Sequence, residues 1–209
     1  GVTGVQTCAL PISGPDIVTR LIGRRLGDMW HQQIIADNRT GAGGNVGADI
    51  VAHAASDGYT LLMATSTHVT NRTLYKNPGY DFVKDFTPVS RVAFVPNMLV
   101  VNPQQVRVAN LAEFIKYVKD GKNKLNYGTG GSGTSHHLAT SLFNSMVGVE
   151  MEHVPYRGSP PALNDLAAGQ LPIAALTTSE FTQHHAAGSI RIIGTFTDGP
   201  SPFVSGVPT

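Results

Sequence analysis

The stretch that most constrains this chain is Tyr127 to Leu138, Tyr-Gly-Thr-Gly-Gly-Ser-Gly-Thr-Ser-His-His-Leu. Leu125-Asn126-Tyr127 before it reads as a short strand, and Leu138, Leu142, Phe143 and Met146 after it recur at helical spacing. A glycine- and hydroxyl-rich loop thus joins a strand to a helix. The first N–H groups of a helix have no internal partner and carry the positive end of its dipole. Gly128, Gly130, Gly131 and Gly133 keep side chains away from a ligand there, while Ser132, Thr134 and Ser135 add hydroxyl donors. Such a cradle suits a carboxylate or a phosphate, and the same pattern also serves tight strand-to-helix geometry with no ligand at all.

The same rhythm runs along the chain. Ser13 or Gly14 caps a helix with Pro15 and Asp16 in its first turn and Val18, Ile22, Leu26 and Met29 down one face. Asp16 there favours the helix dipole or orders a ligand loop. Gln33 to Asp37 reads as a strand, residues 38–45 as a second glycine-rich loop, and Val46, Ile50, Val51 and Ala54 as another helix face. Tyr59 to Ala64 is the next strand. Thr65, Ser66, Thr67 and His68 follow it, where open α/β folds place their ligands, although hydroxyls also cap helices. Val89 to Val95 and Met98 to Val101 are β-like runs separated by Pro96-Asn97.

A second unit begins near Asn97. Asn110 with Glu113 forms a capping box ahead of Leu111, Phe114, Ile115 and Val118, and Gly121 ends that helix. After the organising loop, Val149 to Val154 is a strand and Ser159 caps a helix that stops at Gly169. Leu171 to Leu176, Glu180 to Ala187 and Ile190 to Phe196 then read as strand, helix and strand, with hydroxyls again at Thr177 to Ser179. The fold class is α/β, in two units of about 100 residues each.

The 209 residues are 41% hydrophobic and 14% charged with net charge +1, a globular composition that supplies no basic surface for nucleic acid or an anionic membrane. No apolar run approaches the roughly 20 residues that span a bilayer. Cys8, the single cysteine, excludes an internal disulfide and a cysteine metal cluster. The histidine pairs 136–137 and 184–185 lack metal-ligand spacing, so each histidine reads as a surface or cap residue, with His136 the exception in the first turn after the cradle.

Gly1 to Ile12 has neither periodicity nor signal-peptide architecture and matches the translation of a common sequencing-library adapter. On that reading residues 1–12 are a scar, 13–96 an incomplete first domain without its opening strand, 97–197 the second domain, and 198–209 a truncated return segment toward the first. The first domain is then expected to expose sheet edges and apolar helix faces, leaving the second the better folded.

Three enzyme motifs bear comparison with the glycine loop. Gly128 to Gly133 satisfies G-x-G-x-x-G with Glu150 or Glu152 downstream, which suits an NAD(P)- or flavin-nucleotide oxidoreductase, but the preceding strand is polar rather than apolar. No lysine-hydroxyl pair ends either glycine loop as a triphosphate site needs, and Thr134 occupies the last glycine position of a hydrolase elbow. Arg157, between strand and helix, suits either a ligand carboxylate or a surface ion pair.

Five ordered motifs, at 13–20, 37–47, 56–62, 127–138 and 154–170, together resemble the Bug family, the periplasmic substrate-binding proteins of tripartite tricarboxylate transporters. The resemblance runs from about Ser13 to Thr209 and implies two α/β domains of periplasmic-binding-protein type, class II-like. It implies a monomer with no catalytic residues, metal or cofactor that takes a small organic carboxylate between two lobes and delivers it to membrane transporter subunits. By motif, the first-domain loop falls on Ser13, Gly14, Pro15 and Asp16, with Ser66 and Thr67 as further hydroxyls. The second-domain loop falls on Thr129, Gly130, Gly131, Ser132, Gly133, Thr134 and Ser135, joined by His136. Arg157 stands where lysine is frequent in the family, and the glycine-rich opening before Asp16 is interrupted.

Overall fold

The computed structural model of the protein describes residues 3–7, 13–120, 125–199, 201, 204 and 206–209. Cys8, Gly121 and the start of the polar strand before the loop lie outside the described residues. The chain divides into two compact units, Gly1–Phe94 and Val95–Thr209.

The first unit runs β1 (Thr3–Thr7), α1 (Gly14–Trp30), β2 (Ile34–Asn38), a 3-10 turn (Ala42–Gly44), α2 (Asn45–Ala52), β3 (Thr60–Met63) and α3 (Ser66–Leu74). Its sheet has the order β2-β1-β3 and is parallel throughout, with Val5 level with Ala36 and with Leu61. The expectation that this unit lacks its opening strand is therefore corrected: Thr3–Thr7 is the middle strand, and Gly4 N–H also donates to Tyr59 O at 2.8 Å. Ladder bonds are made by backbone groups, so side-chain periodicity gave no sign of it.

Ala48 is the only buried hydrophobic residue of the first unit among those described. Ser13, Asp16, Thr19, Asn45, Thr67, His68 and Asn71 are buried instead, while Ile17, Leu21, Met29, Trp30, Val46 and Ile50 are exposed. Asn71 links the glycine-rich segment to α3, donating to Gly43 O at 2.8 Å and to Asn45 Oδ1 at 2.7 Å, and Tyr80 Oη donates to the same Asn45 oxygen.

The second unit runs β4 (Asn97–Val101), α4 (Leu111–Lys119), β5 (Asn126–Thr129), α5 (Ser135–Val147), β6 (Glu152–Pro155), α6 (Ser159–Ala167), β7 (Ile173–Thr177), α7 (Thr178–Ala186) and β8 (Arg191–Thr195). The sheet order is β6-β5-β7-β4-β8; β5 is parallel to β6 and β7, and β4 is antiparallel to both β7 and β8. Alternate β4 residues feed separate cores, as strand geometry requires. Met98 and Val100 join Leu166, Leu176 and Phe181 on one face, and Leu99 and Val101 join Phe114, Tyr127 and Ile193 on the other. Each fully buried Leu, Ile or Phe contributes about 1.5–3 kcal/mol, so these two clusters dominate the stability of the unit. The Asn110 cap forms as read, with Asn110 Oδ1 accepting from Glu113 N–H at 2.9 Å, but the return arm of the box shifts by one residue, Glu113 Oε2 accepting from Ala109 N–H at 2.7 Å.

Two segments differ from the sequence reading. Residues 89–95 form no strand, and Val89, Val92 and Phe94 are exposed; β propensity is realised only where a neighbouring strand and a half-buried face exist. The described part of 198–209, read as returning toward the first unit, lies on the second: Thr195 N–H donates to Pro208 O at 2.9 Å, and Val204 and Val207 pack on the core.

Candidate functional site

In the second unit β5, β6 and β7 run the same way, and α5, α6 and α7 each start just beyond one of them. Three helix N-termini consequently share one sheet edge, where unpaired N–H groups and dipoles favour an anion. Thr129 is fully buried at the end of β5, Gly130 to Thr134 cross to α5, and Ser135 and His136 open that helix. The structure thus brings Thr129 to His136 together as one continuous turn.

The roles of its residues differ from those read in the sequence. A Cβ on Gly128 would meet Leu171 and the Tyr156 ring, and one on Gly130 would lie 3.1 Å from Ser159 Oγ. Glycine at these two positions admits neighbouring protein, not ligand, and Ser159, buried at the start of α6, is a site-edge residue the sequence reading missed. Gly131, at φ 133°, takes a backbone shape that side chains disfavour. The Thr134 hydroxyl is committed to the turn, donating to Gly131 O at 2.7 Å and accepting from His137 N–H at 3.4 Å. Ser132 is exposed, and Ser135 is half-buried.

The helix itself is also turned from its expected phase. Leu142 and Met146 are exposed, whereas His136 and Thr140 are buried on the inner side of α5. Thr140 is satisfied by donating to His136 O at 2.8 Å. His136 is not: both ring nitrogens are buried without a hydrogen-bond partner. Burial holds its basicity below the usual imidazole value, and the nearby Glu180 carboxylate offsets only part of this, so the ring is neutral with one donor and one acceptor unused.

Two further histidines prop the loop. Gly133 N–H donates to His137 Nδ1 at 3.1 Å, and Thr129 Oγ1 lies 2.7 Å from His153 Nε2. The two imidazoles stack with centroids 4.0 Å apart, and Tyr127 also stacks on His153 at 5.1 Å. The surface-or-cap reading of His153 is therefore corrected. Arg157 is exposed and forms no ion pair among the described residues.

In the first unit, α1, α2 and α3 likewise follow the parallel strands β1, β2 and β3. Ser13 and Gly14 are buried at the start of α1, with Pro15 half-buried in its first turn. Ser13 occupies the cap position, yet its Oγ makes no capping bond and is buried without a partner. Asp16 orders this turn: its carboxylate accepts from Arg20 Nε and from Asn38 Nδ2, each at 3.0 Å, joining α1 to the end of β2. At α3, Thr65 is the cap, Ser66 is exposed and Thr67 is buried. His68 Nδ1 accepts from Thr65 N–H at 3.0 Å, and burial lowers the basicity of that ring. Among the described residues no three His, Cys, Asp or Glu side chains could share a metal, and no helix is long and apolar enough to cross a membrane.

The family described as "Tripartite tricarboxylate transporter family receptor", TctC, matches residues 18–209. The chain belongs to this family. A UPF0065 protein in the tcbD-tcbE intergenic region of Pseudomonas sp. strain P51 is 36% identical over 199 residues, which are 95% of this chain and 59% of the relative. The chain spans less than two thirds of the length of the curated relatives it matches.

Solved structures agree. The R. palustris protein Rpa4515, solved with adipate, superposes with a TM-score of 0.93 at 37% identity, covering 100% of this chain and 70% of that one. The periplasmic binding protein BugD gives 0.91 at 27% identity over 100% and 69%. MatC from Rhodopseudomonas palustris, solved with bound malate, gives 0.86 at 29% over 100% and 71%. This TctC-family chain therefore has the α/β fold of periplasmic binding proteins, and its relatives are solute-binding proteins.

Proposed function

We propose that this protein is a non-catalytic, periplasmic solute-binding protein that takes a small organic carboxylate. Each unit supplies one grip, and the loaded monomer delivers its ligand to the membrane subunits of a tripartite tricarboxylate transporter. The observation that carries the reading is the pair of orphaned buried groups at helix starts: Ser13 Oγ in the first unit and the His136 ring in the second. Buried polar atoms without partners are costly, and a ligand carrying acceptors and donors would satisfy them. Ser13 to Asp16, Ser66 and Thr67 are the proposed first grip, and Thr129 to His136 the second. Amide donors at helix starts hold a carboxylate without a lysine cluster, and a micromolar site needs about 8 kcal/mol from such contacts.

The nucleotide-oxidoreductase alternative is disfavoured by Gly130. In that fingerprint the middle glycine lets a pyrophosphate approach the backbone, whereas here the space beside Gly130 is filled by Ser159. Relatives solved with adipate and malate support the carboxylate class. Calorimetric titration of the chain with adipate, malate and NAD tests the choice. Saturable binding of a dicarboxylate is expected; binding of NAD with neither acid would overturn the proposal.

A further inference from the structure

We propose that His137 and His153 are positioning residues: their stacked, neutral imidazoles hold the loop from Gly130 to Thr134 in its binding form, so carboxylate affinity falls as the pair is protonated. The proposal rests on the carboxylate reading above and adds a means of regulating that site.

The geometry fixes the protonation state. Gly133 N–H is a donor, so His137 Nδ1 receives it with a lone pair, and the ring's proton sits on Nε2. A proton added at Nδ1 would place two donors face to face at 3.1 Å and break the bond. His153 acts on the other end of the loop through Thr129, whose Oγ1 accepts from Gly131 N–H at 3.2 Å while lying 2.7 Å from His153 Nε2. Thr129 Oγ1 also donates to Gly131 O at 3.2 Å, and its two lone pairs accept from Gly131 N–H and a protonated Nε2 together, so the loosening on protonation comes from His137, to which His153 is joined by the stack. The loop is thus tied at Gly131 and Gly133, on either side of the exposed Ser132.

The stack couples the two ends. Rings 4.0 Å apart cannot both carry a charge without strong repulsion. Among the described residues, the titratable rings in contact with the pair are the two imidazoles themselves and Tyr127 from β5. Burial lowers the basicity of His137. Burial, and then the His137 charge, bring His153 down to about 4. No carboxylate opposes the shift of either ring, in contrast to Glu180 beside His136. The pair is therefore neutral at pH 7 and takes up its first proton on acidification.

A purely structural stack would not link Gly133 to pH, and the full chain tests this with or without ligand. Nitrogen-15 NMR follows the imidazoles and the Gly133 amide between pH 7.5 and 4, with adipate titrated at each pH. Gly133 protection, its exchange relative to a free amide at the same pH, is expected to fall at least tenfold in step with the His137 titration, and affinity for fully ionised adipate to fall at least tenfold over the same range. His137→Asn, which offers a non-titrating acceptor near the Nδ1 position, is expected to keep Gly133 protected and its affinity for fully ionised adipate flat with pH. His137→Phe, which keeps a ring in the stack without the acceptor, is expected to lower Gly133 protection and to remove its dependence on pH. Gly133 protection in the unmutated chain that ignores His137 protonation would overturn the proposal, as would adipate binding that stays constant while Gly133 titrates. If Gly133 follows His137 but neither adipate nor malate binds at any pH, the loop assignment stands and the carboxylate reading fails.

Discussion

The two units use the same device, helix starts gathered along one edge of a parallel ladder, but rest on different foundations. Every described buried hydrophobic residue except Ala48 lies between Met98 and Ile193. The second unit encloses its sheet between two apolar layers, whereas the first buries Asn45, Asn71, His68 and Asp16 and leaves Trp30, Leu21 and Leu74 exposed. Apolar burial is the dominant favourable term in folding, while a hydrogen bond nets only about 0.5–1.5 kcal/mol because water competes for it. Similar local architecture therefore implies unequal stability, with the second unit the more robust.

Three measurements probe that inequality. Phe114→Ala removes a fully buried ring from the second core and should cost about 3–5 kcal/mol in denaturant unfolding. Ile22→Ala, on a half-buried face of α1, should cost less than half as much. Equal losses would end the contrast. Next in size, Asn71→Ala removes the side-chain donor to Gly43 O, leaves Asn45 Oδ1 with Tyr80 Oη alone, and should cost about 1–3 kcal/mol. The loss should be read as faster hydrogen exchange in β2 and β3 with β4 and β7 unchanged. Exchange protection that is uniform across both units in the unmutated chain would contradict the inequality directly.

The smallest effect is common to both units. His153 is lowered from 6.5 to about 4 in the folded protein, and His68 is lowered as well. The unfolded chain then binds more protons than the native one in this range, so their contribution to stability is complete above pH 6.5 and is lost as pH falls toward 4. A midpoint that drops modestly and steadily between these values is expected; one that rises on acidification would refute the linkage.

Much of the second unit was legible because its signals are local. The Asn110–Glu113 cap, the Leu111–Phe114–Val118 face and the apolar run ending at Leu176 each declare their structure within a few residues. The loop at 129–136 was legible for the same reason. What escaped the sequence depends on contacts between distant positions. His153 meets Thr129 across the β5–β6 pairing, and Ser159 reaches Gly130 from the next helix start. On α5 the apolar residues Leu138, Leu142, Phe143 and Met146 suggested an inward stripe, yet Phe143 packs on the core while the other three are exposed and His136 and Thr140 point inward; periodicity shows that a helix has faces but not which one the sheet covers. β1 was hidden because a ladder rung is recognised through its backbone.

The placement of β4 has a consequence for how this chain acquires its structure. That strand pairs Asn97 with Thr177 on one side and Met98 with Thr195 on the other, so its partners are the last strands of the second unit to be synthesised. Non-local pairing of this kind raises contact order and slows folding, because the loop must close before any contact repays it. A growing chain therefore carries the apolar segment Met98 to Val101 unprotected until translation has passed Thr195.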